Sequence, residues 1–158
     1  MPKLSHEILH LLDQPDTTRI VATIDEFGNP YAIASPFLHA SLEGELVHLE
    51  LLEKSATNRN LLRSLWFDKK VSVTLAAADG SNYVVQGRPV KALISGPIFR
   101  RHYENVHSLL GDADLAAVWL IEPEEIADET YTVQKKEEEE RFPFSVHLDR
   151  LVVVPERG

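Results

Sequence analysis

The sequence predicts a mainly β protein, built as a small closed or nearly closed antiparallel barrel with about three helices at its connections and ends. Six or seven short strand-like runs occur along the 158 residues, and most are joined by short turns that contain glycine. The helical runs are few and amphipathic. Parallel βαβ units need a long crossover between successive strands, so this pattern favours hairpin-linked antiparallel strands.

The first half of the chain reads as a helix followed by a meander. Ser5 can cap a helix over 4–12, where Ile8, Leu11 and Leu12 form an apolar stripe, and Pro15 ends it. The meander strands are separated by the Gly28 and Gly44 turns. They are predicted over 19–25, 30–40 and 46–51.

The second half alternates strands with two helices. A helix after Asn58 leads to a fourth strand, Asp79-Gly80 forms a hairpin, and the long fifth strand should bend near Gly87. Pro97 begins the third helix and Gly111 ends it. Both tryptophans, Trp66 and Trp119, are expected in the core. The remaining strands are predicted over 71–77, 82–94, 115–121 and 145–154.

Composition limits the classes of function. The net charge of −9 disfavours nonspecific binding to nucleic acid or to anionic membranes, which need a basic surface. The absence of cysteine excludes disulfides and thiolate chemistry. No signal peptide or membrane-spanning run is seen, so a single cytoplasmic domain over 1–158 is expected. The acidic segment 135–140 is expected to be a solvated extension, either a loop or a helix end.

The stretch from Lys54 to Leu62 combines cationic, hydroxyl and amide side chains at a strand-to-helix junction. A helix N-terminus adds free backbone N–H groups and partial positive charge, which together favour a phosphate. The alternative is an ordinary helix cap followed by a solvated turn. Composition alone leaves both interpretations open.

Four segments in order resemble the pyridoxamine 5′-phosphate oxidase-like family of FMN-binding split barrels, over roughly residues 15–125. The first hairpin, V-A-T-I-D-E-F-G-N-P-Y-A-I-A-S-P-F, is similar to the opening hairpin of that family. H-L-E-L-L-E-K-S-A-T-N-R-N-L-L resembles its third strand, phosphate turn and helix start. K-K-V-S-V-T-L and Y-V-V-Q-G-R-P-V resemble the two strands that follow.

The resemblance implies a six-stranded antiparallel split β-barrel and an FMN cofactor. It also implies a homodimer with flavin at the subunit interface and a small-molecule substrate or electron donor. The third helix and the sixth strand are expected at that interface. No catalytic side chain is identified, and the chain lacks the Trp- and Arg-rich ending of true pyridoxamine 5′-phosphate oxidases. Flavin oxidoreductase or electron carrier is therefore the expected function, rather than that specific oxidase.

Three groups of site residues follow from the resemblance. The phosphate and ribityl chain would be held by Lys54, Ser55, Asn58 and Asn60. The flavin ring would lie against the strand backbone at Ser35, Pro36 and Phe37, where the alternative is core packing of Phe37 and a bulge at Pro36. Gln86 on the fifth strand would present a polar side chain to the flavin.

Other functions have weaker support. A non-enzymatic binding or regulatory module on the same barrel, or a relative that binds haem or a deazaflavin, are the alternatives, with His147 a possible haem ligand. His6 and His10 have a metal-binding spacing without an evident third ligand, so no metal site is expected. No G-x-S-x-G motif supports a serine hydrolase, and no glycine-rich loop supports a nucleotide triphosphate site.

Overall fold

The computed structural model describes residues 4–111 and 114–142, which form seven strands and four helices. The mainly β class is confirmed, with one more strand and one more helix than expected. The helices are α1 (His6–Asp13), α2 (Ala56–Phe67), α3 (Pro97–Leu110) and α4 (Tyr131–Arg141). The strands are β1 (Thr18–Ile24), β2 (Pro30–Ala34), β3 (His39–Ala40), β4 (Leu46–Glu50), β5 (Val71–Ala76), β6 (Asn82–Leu93) and β7 (Ala117–Asp128).

One antiparallel sheet contains all seven strands, in the order β2-β1-β5-β6-β7-β4-β3. The extra strand arises because the predicted strand over 30–40 is divided. Its first part pairs with β1 and its second part pairs with β4, at opposite edges of the sheet. Residues 35–38 therefore form a corner that joins the two edges, and Pro36, which cannot donate a ladder hydrogen bond, lies within it. The sheet is curled into a split barrel.

The main core lies on the inner face of this sheet and is closed by α1 and α2. Val21, Val73 and Trp119 are among its buried strand residues. Ser5 caps α1, accepting a hydrogen bond from the Ile8 N–H at 3.4 Å. Leu11, with its neighbour Leu12, is buried against the sheet as the helical stripe predicts.

A second apolar cluster lies on the outer face, under α3. Val47 and Val118 are buried there, and Phe99 and Tyr103 pack against them from the helix. Val106 is also buried. These α3 residues, expected from sequence at a subunit interface, are thus used within the chain to cover the outer face of β4 and β7.

The bend in β6 is confirmed. The pairing of β6 with β7 shifts register between Gln86 and Gly87 and again between Pro89 and Lys91. A side chain on Gly87 would collide with the backbone carbonyl of Glu122 on β7. Glycine permits this close approach of the two strands, so the bend depends on it.

Three further expectations can be compared with the structure. The acidic segment is exposed, but it belongs to the regular helix α4, which has no buried residue. Trp119 is buried as expected, whereas the expectation for Trp66 was wrong, because 69 % of its side chain is exposed. The last predicted strand, 145–154, and His147 lie outside the described residues.

In the described ranges, no helix is long and apolar enough to span a membrane.

Candidate functional site

The turn after β4 leads directly into the N-terminus of α2. Ser55 is the N-cap residue, and its hydroxyl accepts a hydrogen bond from the Asn58 N–H at 3.0 Å. The first turn carries no acidic side chain. The N–H groups of Ala56 and Thr57 come before the first intrahelical bond and find no acceptor in the described part of the chain. Ala56 is half-buried and Thr57 is only 3 % exposed, so the Ala56 N–H is the donor nearer the surface. The helix end adds positive potential for an anion.

Lys54 is the cation beside this helix end. Its side chain is exposed, and it forms no ion pair within residues 4–111 and 114–142. Lys54 is thus available to a ligand. Arg63, one of the other basic residues of this segment, pairs with Glu26 on the first hairpin at 3.6 Å.

Asn58 and Asn60 are engaged inside the protein. The Asn58 side chain donates to the Glu53 carbonyl at 2.8 Å and accepts from the Trp119 indole N–H, also at 2.8 Å. Asn60 is buried and donates to the Thr23 hydroxyl at 3.1 Å. Both asparagines attach the start of α2 to the barrel, so the structure gives them the role of holding the turn in place.

The corner formed by residues 35–38 contains the predicted ring-contact residues. Pro36 is exposed and Phe37 half-buried, which leaves Phe37 outside the main core that Leu38 enters. Arg19 holds the corner, donating to the Pro36 carbonyl at 3.1 Å and to the Leu12 carbonyl at 2.7 Å. The corner thus places an exposed Pro36 and a half-buried Phe37 on a well-anchored segment.

A buried polar network joins this corner to the phosphate turn. The Ser35 hydroxyl lies 2.7 Å from Nδ1 of His48, and Nε2 of the same ring lies 3.3 Å from a Glu50 carboxylate oxygen. The other Glu50 oxygen accepts from the Leu52 N–H at 3.2 Å. All three members of this Ser35–His48–Glu50 network are at most 7 % exposed. Ser35 and Glu50, which are 15 residues apart in the sequence, are therefore linked through the His48 ring.

The electrostatics of Glu50 set the direction of these hydrogen bonds. Burial raises the pKa of the Glu50 carboxyl, but hydrogen bonds from His48, the Leu52 N–H and the Ser55 hydroxyl outweigh it and hold that pKa below 4.5. Glu50 is therefore ionised at neutral pH and can only accept, so Nε2 carries a hydrogen. In the neutral imidazole Nδ1 then accepts the Ser35 proton.

A Ser–His–Glu arrangement also suggests a hydrolase, but this one does not present a nucleophile. Ser35 is only 3 % exposed, so a substrate carbonyl cannot reach its oxygen in this arrangement. An acyl-transfer site also needs donors converging on a developing oxyanion beside the nucleophile. The network instead connects β2, β4 and the turn after β4, which is a positioning role.

Gln86 lies away from the turn within one chain. It is exposed on β6 and pairs with Glu125 on β7, whereas Glu50 pairs with Ala117. The eight positions between Ala117 and Glu125 correspond to roughly 25 Å along a strand. A single chain therefore does not bring Gln86 to the Lys54 turn. Its neighbour Arg88 is engaged with Asp68 and Glu124.

His48 and Glu50 are the site residues that sequence reasoning missed. Along β4 the apolar residues Val47 and Leu49 alternate with them, which normally marks the polar pair as the solvent face. Because α3 covers Val47, both faces of β4 are buried and the polar pair points inward beside Leu46. The only local signal was the pairing of a histidine and a glutamate two residues apart on one strand face.

No protein-family model matches the chain, and a search of curated proteins finds no match. Solved structures do match. HupZ of Group A Streptococcus is 16 % identical with a TM-score of 0.66, covering 81 % of this chain and 95 % of its own. A candidate pyridoxamine 5′-phosphate oxidase from Lactobacillus delbrueckii is 19 % identical with a TM-score of 0.59, covering 79 % and 93 %.

Two further matches carry a cofactor in their names. An FMN-binding protein from Syntrophomonas wolfei is 13 % identical with a TM-score of 0.60, covering 78 % of this chain and 86 % of its own. An F420 reductase is 16 % identical with a TM-score of 0.58, covering 80 % and 98 %. At these identities the likeness shows the fold, and it confirms the split-barrel resemblance found in the sequence.

Proposed function

We propose that this protein binds FMN and acts as a flavin oxidoreductase or electron carrier. One observation carries the proposal. A helix N-terminus beside Lys54, which has no ion pair among the described residues, is attached through buried hydrogen bonds to the corner that carries the exposed Pro36. Two solved chains of the same fold are named for FMN or F420, which supports a flavin-type ligand.

The residues present fit the chemistry of FMN. A doubly charged phosphate needs cationic and N–H donors, and the Lys54 ammonium and the Ala56 N–H group supply them at a helix whose first turn carries no acidic side chain. Ser55, Asn58 and Asn60 contribute by shaping this turn. The exposed Pro36 and half-buried Phe37 offer the apolar ring a surface on the corner.

Each part of the chain then has a role. When bound, FMN supplies the hydride or electron chemistry. Lys54 and the N-terminus of α2 bind and orient its phosphate end. The corner at Ser35 to Phe37 orients the ring, and the buried network keeps corner and turn in fixed relation.

A homodimer is part of the proposal. Gln86 is too far along the sheet to join Lys54 in one chain, so a site that includes both requires Gln86 from the second subunit. A two-fold dimer would supply it twice, once to each site. Sedimentation equilibrium with and without FMN measures this directly, and a protein that stays monomeric while binding FMN would contradict the shared site.

The first experiment is the absorption spectrum of the protein as isolated, followed by titration with FMN, F420 and haem. Flavin bands or FMN binding support the proposal. If only F420 or only haem binds, that cofactor and not FMN is the ligand. A colourless protein that binds none of the three would favour the non-enzymatic module.

Lys54→Ala tests the phosphate contact. Loss of a charge-assisted hydrogen bond should weaken FMN binding by about 10- to 100-fold, from about 1.5–3 kcal/mol. Riboflavin, which lacks the phosphate, should bind the variant and the parent equally. Lys136→Ala, on the exposed helix α4, is the matched control. Equal FMN affinity in the Lys54 variant and the parent would place the phosphate elsewhere.

A further inference from the structure

A second cavity lies between the hairpin of β3 and β4 and the helix α3. Its volume is about 300 Å³, at the lower end of the range for small-molecule sites. Its polar lining includes His39, Glu43 and Glu45 from the hairpin and Arg101 and His102 from the helix, above an apolar floor that includes Val47. Of these side chains, His39 contacts the proposed flavin site, by its hydrogen bond to the Phe37 carbonyl.

Two imidazoles face each other in this cavity. The ring centroids of His39 and His102 are 5.2 Å apart and the rings are tilted by 44°. Two imidazoles bound to one tetrahedral zinc ion, with Zn–N bonds of about 2.0–2.1 Å, place their centroids about 5 Å apart. The observed centroid separation is therefore compatible with a shared metal, and a simple ring contact has the same spacing.

The hydrogen bonding of His39 distinguishes it from an ordinary surface histidine. Its Nδ1 lies 2.9 Å from the Phe37 carbonyl, which can only accept, so Nδ1 carries the hydrogen. Nε2 then holds the free lone pair. A histidine that ligates a metal commonly donates its other N–H to a backbone carbonyl in this way, which fixes the tautomer and the ring orientation.

The lining of the cavity carries charges of both signs. Arg101 opposes a cation at the cavity, and the carboxylates of Glu43 and Glu45 on the facing hairpin offset it.

We propose that His39 and His102 form a binding site for a divalent transition metal such as Zn²⁺, with two protein ligands and open positions for water or a small ligand. Residues 4–111 and 114–142 contain no arranged group of three or more His, Asp or Glu side chains. Two imidazoles with open positions resemble an exchangeable or catalytic site more than a closed structural one. The site is independent of the proposed flavin function and is tested without FMN.

The experiment is calorimetric titration of the metal-free, FMN-free full chain with Zn²⁺. One Zn²⁺ per chain is expected, and His39→Gln or His102→Gln should each weaken binding at least about tenfold. His6→Gln/His10→Gln is the control, because this pair on α1 is the other metal-spaced histidine pair in the chain. Circular dichroism checks that each variant is folded.

If a variant fails to fold, the proposal can still be tested on the unmutated protein by nuclear magnetic resonance. Paramagnetic Co²⁺ should broaden the imidazole proton signals of His39 and His102 before those of the other histidines. Binding that survives the His39→Gln/His102→Gln double variant, or that is lost in the α1 variant, would overturn the proposal. Absence of any binding would leave a ring contact only and would also overturn it.

Discussion

Replacing His48 by leucine should be among the most damaging single changes in the core. The leucine keeps apolar bulk but removes both hydrogen bonds of a ring that is 2 % exposed, leaving the ionised Glu50 without one of its donors and Ser35 without its acceptor. Leaving a buried polar group without a partner costs about 1–3 kcal/mol, and more for a charged group. The Glu50 contact is long, at 3.3 Å, and Leu52 still donates to the carboxylate, so a loss of about 3 kcal/mol is expected.

A double-mutant cycle isolates the interaction between the two side chains. Glu50→Gln removes the charge and should cost about 1 kcal/mol alone, in the range for a single hydrogen bond. His48→Leu/Glu50→Gln should cost at least about 1 kcal/mol less than the sum of the two single variants, because no charge is then left unpartnered. Urea unfolding at pH 7 measures all four proteins, with the exposed His10→Leu as control. If the single costs add within about 0.5 kcal/mol, the His48–Glu50 hydrogen bond is not what holds this network together.

Two other outcomes follow from the same region. Asn58→Ala should lower the free energy of unfolding by about 1–3 kcal/mol, because the buried Trp119 N–H loses its acceptor. Lys54→Ala should leave the free energy of unfolding within about 0.5 kcal/mol of the parent. Urea midpoints compare the two variants, and equal losses would contradict a structural role for Asn58 and a ligand-binding role for Lys54. The folded-state pKa of Glu50 is depressed, so its contribution to stability is present above the unfolded value of about 4.5 and is lost as pH falls through the folded pKa. Midpoints measured from pH 7 to 3 should therefore fall less steeply below pH 4.5 in Glu50→Gln than in the parent, and parallel curves would refute this. The carboxyls of Asp25 and Asp79 also have depressed pKa values and supply the acid sensitivity that remains.

Much of the fold could be predicted from sequence because its signals are local. Ser5 and Ile8 lie in one helical turn, and the glycines with positive φ at 28, 44 and 80 mark the hairpins by their own backbone conformation. Such features depend on neighbours within a few residues. The Ser55 cap could be predicted for the same reason, since a cap and a cation next to a helix start are visible in a short stretch.

The remaining features depend on contacts between distant segments. The division of the returning strand at Ser35 to Leu38 occurs because β1 and β4 lie at different edges of a sheet whose curl no single segment encodes. The role of Asn58 was missed because its partner, Trp119, is 61 residues away. Trp66 was wrongly placed in the core because α2 turns Leu61 and Ser64 inward and leaves Trp66 on its exposed side.

The sequence by itself determined an antiparallel barrel, the position of α1, α2 and α3 and a capped turn with a cation at Lys54, since each depends on short-range periodicity, caps and turn residues. Only the tertiary structure decided which polar residues act together. Burial of both faces of β4 turned His48 and Glu50 inward, where the lack of water made them partners of each other and of Ser35. A polar side chain takes its role from what surrounds it, and those surroundings are assembled from segments far apart in the chain.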